Sequence, residues 1–242
     1  MKVVIVIPAR YHSTRLPGKP LIDLNGKSML QRTYNQCVKA INSNSIFVAT
    51  DHKKIKKHCI KNKMNCILTS NKCLTGTDRV VEFSKKIDAD IYINVQGDEP
   101  LINPNDIVKL IDFSKKHPNY IINGYTPISK EEDFKNINIP KVVLKENNDL
   151  LYISRSAIPG NKNEKFIKAW RQVCIYAFPK SSLEIFSLKN IKTKIEKIED
   201  IEILRFLELG YNVKMLLLSN NSISVDTEED VEKIKKIIIQ VE

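Results

Sequence analysis

A cationic loop near the N-terminus is the first segment whose residue types could do chemistry. It follows the apolar run 3–7 and carries Arg10, Arg15 and Lys19 beside Gly18. Cationic side chains bind phosphate oxygens strongly, and backbone amides in such a loop add further donors. The sequence therefore predicts a loop that binds the phosphates of a nucleotide, with a basic surface loop as the alternative. Neither a GxGxxG nor a P-loop pattern is present, which argues against dinucleotide binding and P-loop ATPase chemistry.

Two aspartates supply the opposite charge. Asp98 comes directly after the apolar run 91–95, and Asp226 lies in a Val-Asp-Thr motif near the C-terminus. Carboxylate oxygens suit Mg²⁺ that bridges phosphates, so the two side chains could hold one or two ions if the fold brings them together. The alternatives are structural: Asp98 bonds amides in a turn, and Asp226 caps the last helix with Glu229 in a capping box.

A third polar segment, Thr75-Gly76-Thr77-Asp78-Arg79, opens a predicted helix. The amides and hydroxyls at a helix N-terminus attract anionic groups, so this segment favours a contact with the nucleotide. Simple capping of the helix is the alternative.

Strands and helices alternate along the first half of the chain, which predicts a mainly parallel sheet with helices on both faces. Strands are expected at 3–8, 46–50, 65–69 and 91–95, and helices at 28–40, 53–61, 77–87 and 105–116. In such α/β sheets, ligands bind at the carboxyl ends of the strands. The cationic loop and Asp98 both follow strands directly, so we expect them at that edge.

The middle of the chain breaks this alternation. Strands are expected at 120–127, 141–145, 150–154 and 172–178 without helices between them, followed by helices at 181–188 and 199–209, a strand at 213–218 and a helix at 227–239. We interpret residues 1–242 as a single domain with an antiparallel region inserted at about 120–180.

Composition limits the class of protein. The chain has 242 residues, of which 42% are hydrophobic and 28% charged, and no apolar run approaches the roughly 20 residues that cross a bilayer. Five cysteines form no CxxC pair, which favours reduced thiols in a cytoplasmic protein without membrane insertion. The net charge of +11 suits an anionic partner. It is mostly dispersed lysine, and no nucleic-acid-binding motif appears, so a solvated surface is favoured over nucleic-acid binding.

Taken together, the motifs resemble the 3-deoxy-manno-octulosonate cytidylyltransferase (CMP-Kdo synthetase) family. In order, they are PARYHSTRLPGKPL, ATD, TGTDR, DIYINVQGDEP, KVV, YISRSAIP and VDT. The resemblance implies a nucleotide-diphospho-sugar-transferase-like α/β fold, usually a homodimer paired through the inserted region. It also implies transfer of CMP from CTP to the anomeric hydroxyl of a 2-keto-3-deoxy sugar acid, with release of pyrophosphate, for lipopolysaccharide or capsule synthesis.

The same resemblance implies the residues of the site. Those expected to bind CTP are Ala9, Arg10, Ser13, Arg15, Lys19, Gly76, Thr77, Arg79 and Gln96. Those expected to bind the sugar are Arg155, Gln172, Tyr176, Glu202, Ile203 and Arg205. Mg²⁺ is the expected cofactor, held by Asp98 and Asp226. These two aspartates, Arg10 and Lys19 form the expected catalytic set. A guanidinium suits the carboxylate of the sugar, which is the role expected for Arg155.

Two positions depart from the family pattern. Gln172 stands where the family usually has histidine, and Ile203 where it usually has glutamine. An apolar side chain in place of an amide leaves a sugar hydroxyl unpaired, and such mismatches discriminate strongly. A different sugar acid, 8-amino-Kdo or a nine-carbon sialic-type acid, is therefore the alternative to Kdo.

Two other classes of protein remain as alternatives, a basic nucleic-acid-binding protein and a catalytically inactive relative. The two aspartate motifs argue against the first, because carboxylates repel phosphates unless a metal ion is present. The complete set of phosphate and metal residues argues against the second.

Overall fold

The computed structural model describes residues 1–13, 16–188, 191–220 and 222–241. Strands and helices alternate through the first half of the chain. The strands are β1 (Val3–Ala9), β2 (Asp23–Leu24), β3 (Lys27–Ser28), β4 (Ile46–Thr50), β5 (Cys66–Leu68), β6 (Ile91–Val95), β7 (Ile121–Pro127), β8 (Lys141–Leu144), β9 (Leu150–Ser154), β10 (Trp170–Pro179) and β11 (Val213–Leu217). The helices are α1 (Met29–Ala40), α2 (Lys53–Lys61), α3 (Gly76–Ser84), α4 (Pro104–Lys116), α5 (Glu131–Lys135), α6 (Lys180–Ser187), α7 (Lys194–Glu199), α8 (Leu204–Glu208) and α9 (Glu228–Val241).

The main sheet has the strand order β11-β7-β10-β6-β1-β4-β5. Strands β6, β1, β4 and β5 are parallel, whereas β10 runs antiparallel to both β6 and β7. All residues of β1 and β6 are buried, as expected for parallel strands covered on both faces.

Side chains of successive strand residues point to opposite faces and build two apolar cores. Ile5 and Ile7 of β1 belong to the core that also contains residues of α1, α2 and α4. Val4 and Val6 belong to the other core, which contains residues of α3, α6 and α8. The rigid sheet between these cores positions the loops at its carboxyl edge.

The predicted fold class is confirmed, and the strands expected at 46–50, 91–95 and 150–154 and the helix at 53–61 have the predicted bounds. Within the region 120–180, β7 and β10 lie in the main strand order, and the antiparallel hairpin of β8 and β9 joins the same sheet where β8 pairs with β10. All five cysteines are free thiols. Among the described helices, none combines the length and the apolar character needed to cross a membrane.

The helix expected at 199–209 is wrong. Helix α7 ends at Glu199, and Asp200 adopts a left-handed conformation with φ of +51°. A new helix, α8, begins only at Leu204. Aspartate tolerates the left-handed region better than most residues, which explains the break at this position. The β2–β3 hairpin and helices α5 and α7 were not predicted.

Candidate active site

The loops that follow β1 and β6 meet at the carboxyl edge of the sheet, because the two strands are parallel neighbours. Gly97, just after β6, approaches the β1 end so closely that an added Cβ would lie 3.0 Å from the Pro8 carbonyl oxygen. A distant segment joins them: the backbone N–H of Val225 donates to the Asp98 carbonyl oxygen at 3.0 Å. This bond brings Asp226 opposite Asp98.

Lys19 lies between the two aspartates. Its Nζ is 2.6 Å from Asp98 Oδ2 and 3.0 Å from Asp226 Oδ1. Burial acts to lower the pKa of Lys19, but the two carboxylates outweigh it and hold the pKa above its ordinary value. The lysine is therefore charged at neutral pH. Because both carboxylates contact one ammonium, both lie within reach of a single cation.

These carboxylates fit a divalent cation that the substrate helps to hold. Among the described residues, no group of three or more acidic, histidine or cysteine side chains could by itself bind a metal. Mg²⁺ in nucleotide-binding proteins commonly takes one or two carboxylates, with phosphate oxygens and water completing its shell. Asp98 and Asp226 are about one quarter to one third exposed, which leaves room for such a shell.

The capping box expected from Asp226 and Glu229 is wrong. The carboxylate of Asp230 accepts the backbone N–H of Thr227 at 2.9 Å, and the Thr227 hydroxyl accepts the N–H of Asp230 at 3.2 Å. Helix α9 thus begins one residue later than an Asp226 cap would require. The consequence is that the Asp226 carboxylate faces Lys19 instead of the helix.

Glu202 connects the expected nucleoside contacts. Its carboxylate accepts from Gln96 Nε2 at 3.0 Å and from the backbone N–H of Thr77 at 2.9 Å. A Cβ on Gly76 would lie 2.9 Å from Gln96 Nε2, so a larger residue there would displace the amide. Burial raises the pKa of Glu202, and the bond from Thr77 opposes this shift. The residue predicted to contact the sugar therefore also orients Gln96.

The start of α3 is capped as the alternative interpretation required. The Thr75 hydroxyl accepts the N–H of Asp78 at 3.1 Å, and the Asp78 carboxylate accepts the N–H of Thr75 at 2.8 Å. Capping does not exclude a nucleotide contact, because it uses groups other than Gly76 and the Thr77 side chain.

Arg79 lies inside the protein. Its guanidinium donates to Thr69 Oγ1 at 2.6 Å and to the Ser70 carbonyl oxygen at 3.2 Å, and it pairs with Asp51 at 3.4 Å. It therefore ties the ends of β4 and β5 to α3. A direct contact between Arg79 and CTP stays a prediction, for which this geometry gives no support.

The cationic loop has one further feature, an aromatic stack beside it. The ring of Tyr11 stacks on His52 with 4.0 Å between centroids, and the Tyr11 hydroxyl accepts from Lys54 Nζ at 3.3 Å. Within the loop itself, Ala9 is buried at the end of β1, and Arg10 is exposed. Ser13 Oγ accepts the Leu16 N–H at 3.4 Å. Arg15, which was predicted to bind CTP, lies outside the described residues.

Three residues predicted to line the sugar site lie in the interior. Gln172 Nε2 donates to Asn123 Oδ1 at 2.8 Å and to the Tyr176 hydroxyl at 3.2 Å. Both Gln172 and Tyr176 are buried, and Ile203 is packed within an apolar core. The two positions that depart from the family pattern are thus engaged by protein groups.

Arg205 is also buried, in an ion-pair network. Its guanidinium donates to both carboxylate oxygens of Glu196, at 2.8 and 2.7 Å, and to Asp78 Oδ1 at 2.9 Å. It also lies 3.7 Å from the centroid of the Phe186 ring. These contacts join α8 to α3 and α7, so in this structure Arg205 stabilises the packing of the three helices. Direct binding of the sugar by Arg205 stays a prediction.

Arg155 reaches a different set of acceptors. Its Nε donates to the Glu199 carbonyl oxygen at 2.6 Å, and its terminal nitrogens donate to the carbonyl oxygens of Ile137 and Asp200, each at 3.2 Å. None of these acceptors carries a formal charge, so the guanidinium retains its attraction for an anion.

Glu99 and Lys141 are buried charged residues that the sequence does not single out. Glu99 accepts a hydrogen bond from Ser222, which ties the segment before Asp226 to the Asp98 loop. Burial raises the pKa of Glu99 to about 7, although the Ser222 bond acts in the other direction. Lys141 is fully buried in β8. A KVV motif and a Glu beside Asp98 gave no signal of burial, because the covering elements are distant in sequence.

Comparisons with known proteins identify the family of the chain. Residues 4–234 match the family model described as Cytidylyltransferase. The chain is 39% identical to a 3-deoxy-manno-octulosonate cytidylyltransferase from Chloroherpeton thalassium, covering 98% of both chains. It is 35% identical to an 8-amino-3,8-dideoxy-manno-octulosonate cytidylyltransferase from Shewanella baltica, covering 96% of this chain and 97% of the relative.

A solved structure is similar over the whole fold. It is a CMP:2-keto-3-deoxy-manno-octonic acid synthetase complexed with CTP, which is 36% identical and superposes with a TM-score of 0.92 over the full length of both chains. The agreement of sequence, fold and motif order shows that the chain belongs to the cytidylyltransferase family.

Proposed function

We propose that the chain transfers CMP from CTP to the anomeric hydroxyl of 3-deoxy-manno-octulosonate (Kdo) and releases pyrophosphate. The observation that carries this proposal is the contact of Lys19 with both Asp98 and Asp226 at the carboxyl edge of the sheet. The cationic side chain suits the phosphates of a nucleoside triphosphate, and the two carboxylates suit the divalent cation that such a nucleotide carries. The similarity to a synthetase complexed with CTP supports CTP as the nucleotide.

The phosphates lie against the cationic loop. Lys19 and Arg10 offset the negative charge that builds on the pyrophosphate as it leaves. Gln96, which is held by Glu202, contacts the nucleoside. The sugar hydroxyl attacks the α-phosphorus in line with the departing pyrophosphate and releases its proton to solvent, so the new P–O bond forms as the old one breaks. The reaction needs no covalent enzyme intermediate.

Asp98 and Asp226 are the residues that would hold Mg²⁺. When bound, the ion would lower the pKa of the sugar hydroxyl and would stabilise the negative charge on the α-phosphate. Because both carboxylates are partly exposed, their removal should affect the reaction more than the fold.

The curated relatives support Kdo as the sugar, because several of them are named for it. Arg155 binds the carboxylate of the sugar through its guanidinium. Relatives named for 8-amino-3,8-dideoxy-manno-octulosonate keep that sugar as the second candidate.

We also propose a homodimer that pairs through the inserted region. Ile137, Leu151 and Ile167 expose more than half of their surfaces in this region, and a second copy would cover such side chains. The role of the product in lipopolysaccharide or capsule synthesis and a cytoplasmic location follow from the proposed reaction as further proposals.

The test is a reaction of the chain with CTP, Mg²⁺ and Kdo. We expect pyrophosphate release that requires all three, and a phosphodiester product seen by ³¹P NMR. Chelation of the metal with EDTA should stop the reaction, and excess Mg²⁺ should restore it. Pyrophosphate release without any sugar would contradict the proposal, as would the absence of release from a protein that is folded by circular dichroism.

A further inference from the structure

One lysine of the inserted region places its ammonium inside the protein. Lys141 is fully buried. Its Nζ donates to the Asn136 carbonyl oxygen at 2.9 Å and to the Arg155 carbonyl oxygen. Among the hydrogen bonds of the described residues, none joins Lys141 to a carboxylate. Burying a charge without a paired charge is costly, so this position requires a reason.

The acceptors of Lys141 and Arg155 suggest that reason. Lys141 holds the carbonyls of Asn136 and Arg155, while the Arg155 guanidinium holds the carbonyl of the adjacent Ile137. The two cations thus fasten the segment 136–137 to the end of β9 from both sides. Arg155 is held at its backbone by Lys141 and at its guanidinium by the end of α7. Loss of Lys141 would release one of these attachments.

The charges around Lys141 do not balance. The carboxylate of Glu199 accepts from the Arg155 N–H at 2.9 Å, from Ser154 Oγ at 2.6 Å and from the Tyr152 hydroxyl at 3.2 Å. This single carboxylate offsets at most one of the two cations, Lys141 and Arg155.

The neighbouring elements do not correct the imbalance. Asp200, at the end of α7, pairs with Lys192. Arg171, which pairs with Lys141 in the register of β10 and β8, directs its guanidinium away to Asn220 and to the carbonyl of Ser222, where it acts on Glu99, so it neither adds to nor offsets the charge beside Lys141. The cluster therefore keeps an excess of positive charge, which favours an anion such as a sugar carboxylate.

We propose that Lys141 is a positioning residue for the sugar acid, which fixes Arg155 through its carbonyl and adds positive charge beside it. This inference rests on the proposed function, because it takes Arg155 as the group that binds the sugar carboxylate. It assigns Lys141 to the affinity for the sugar and gives it no part in the affinity for CTP.

The titration of Lys141 gives the inference a measurable signature. Burial, together with the nearby charge of Arg155, lowers the pKa of Lys141 to about 8, while Glu199 opposes the shift. Above that pH the amine becomes neutral, and its hydrogen bonds lose their ionic strengthening. The KM for the sugar should therefore rise as the pH increases through 8, while the KM for CTP should not follow it.

The experiment compares Lys141→Met and Lys141→Arg with Lys145→Met, using pyrophosphate release between pH 6.5 and 9.5. Lys145 is a matched control, because it directly follows the same strand and is exposed. At pH 7 we expect Lys141→Met to raise the KM for Kdo by about tenfold, with the KM for CTP within about twofold of the wild type. Lys141→Arg should recover part of the sugar affinity and should lose the rise above pH 8, because arginine does not titrate there.

The outcomes separate the inference from the function on which it rests. Absence of wild-type turnover with Kdo overturns both. Normal wild-type turnover, with an unchanged KM for Kdo in folded Lys141→Met or an equal rise in the KM for CTP, overturns the inference alone. If neither Lys141 variant folds, the wild-type profile decides: a KM for Kdo that stays constant from pH 7 to 9.5 overturns the inference.

Discussion

Val225 and Asp98 are joined through their backbones, with the Val225 N–H donating to the Asp98 carbonyl oxygen at 3.0 Å. This bond connects the segment before α9 to the loop after β6. It brings the side chains of Asp98 and Asp226 into contact with the same ammonium, that of Lys19. The charged centre of the site is thus held by contacts between distant parts of the chain, of which this backbone bond and the bond from Ser222 to Glu99 are two.

Substitution Asp98→Asn should lower kcat by on the order of 10³-fold, because it removes a charged ligand for the cation that neutralises the reacting phosphates. The free energy of unfolding should change little, since the Asp98 side chain is about one third exposed. Steady-state pyrophosphate release and thermal melting measure the two effects. Asp88→Asn is the control, because Asp88 pairs with Lys180 at the surface and should retain full activity. Turnover within about threefold of wild type would remove Asp98 from the mechanism.

Lys19→Met should strengthen the binding of a divalent cation in the absence of CTP. The Lys19 ammonium contacts both carboxylates and so competes with the ion for them. Without that ammonium we expect Mn²⁺ to bind at least about fivefold more tightly, as measured from the EPR signal of the free ion.

Lys180→Met supplies the matched control for Mn²⁺ binding, because Lys180 is an exposed lysine paired with Asp88. In the wild type, added CTP should draw Lys19 toward the phosphates and tighten Mn²⁺ binding. Equal Mn²⁺ affinities of Lys19→Met and the wild type without nucleotide would show that Lys19 does not compete for the carboxylates.

Glu196→Gln should lower the free energy of unfolding by about 3 kcal/mol, because it leaves the buried guanidinium of Arg205 short of one carboxylate. Both side chains of this pair are fully buried. Glu131→Gln is the comparison, since its pair with Lys135 is exposed to solvent and its loss should change stability far less. Urea unfolding measures both variants, and similar effects in the two would contradict the assignment of Arg205 to a structural network.

The local parts of the fold could be predicted from the sequence. Strands β4, β6 and β9 and helix α2 have bounds that their apolar runs and flanking residues already indicated. The cap of α1 is also local, since Ser28 Oγ accepts the N–H of Gln31 at 3.1 Å. In these segments, propensity, apolar pattern and tertiary packing favour the same structure.

The features that the sequence did not predict correctly depend on contacts between residues that are distant in sequence. By sequence, either Asp226 or Thr227 could cap α9. In the structure Thr227 caps the helix, because the Asp226 carboxylate contacts Lys19 instead. The burial of Lys141 and Arg205 could not be predicted, because charged residues are seldom buried and their partners come from other elements. The sequence predicts a shared site for the two aspartates only if the fold brings them together. The Val225–Asp98 bond brings them together.

Ile203→Gln tests whether the departure from the family pattern changes the choice of sugar. Ile203 is packed inside an apolar core, so a glutamine there should lower the free energy of unfolding by about 1–3 kcal/mol. Its location predicts that the ratio of kcat/KM for Kdo to that for 8-amino-Kdo stays within about twofold of the wild-type value. A larger change in this ratio would place the side chain in contact with the sugar. Ile203→Leu should retain both the stability and the ratio.

The most direct test of the account is kcat/KM for a panel of sugar acids with CTP and Mg²⁺. The panel contains Kdo, 8-amino-Kdo and N-acetylneuraminic acid, and pyrophosphate release is the signal. We predict that Kdo has the highest kcat/KM, by at least about tenfold. A preference for either of the other acids would contradict Kdo as the substrate and leave the cytidylyl transfer in place. Absence of turnover with every acid, from a folded protein that binds CTP, would contradict the reaction itself.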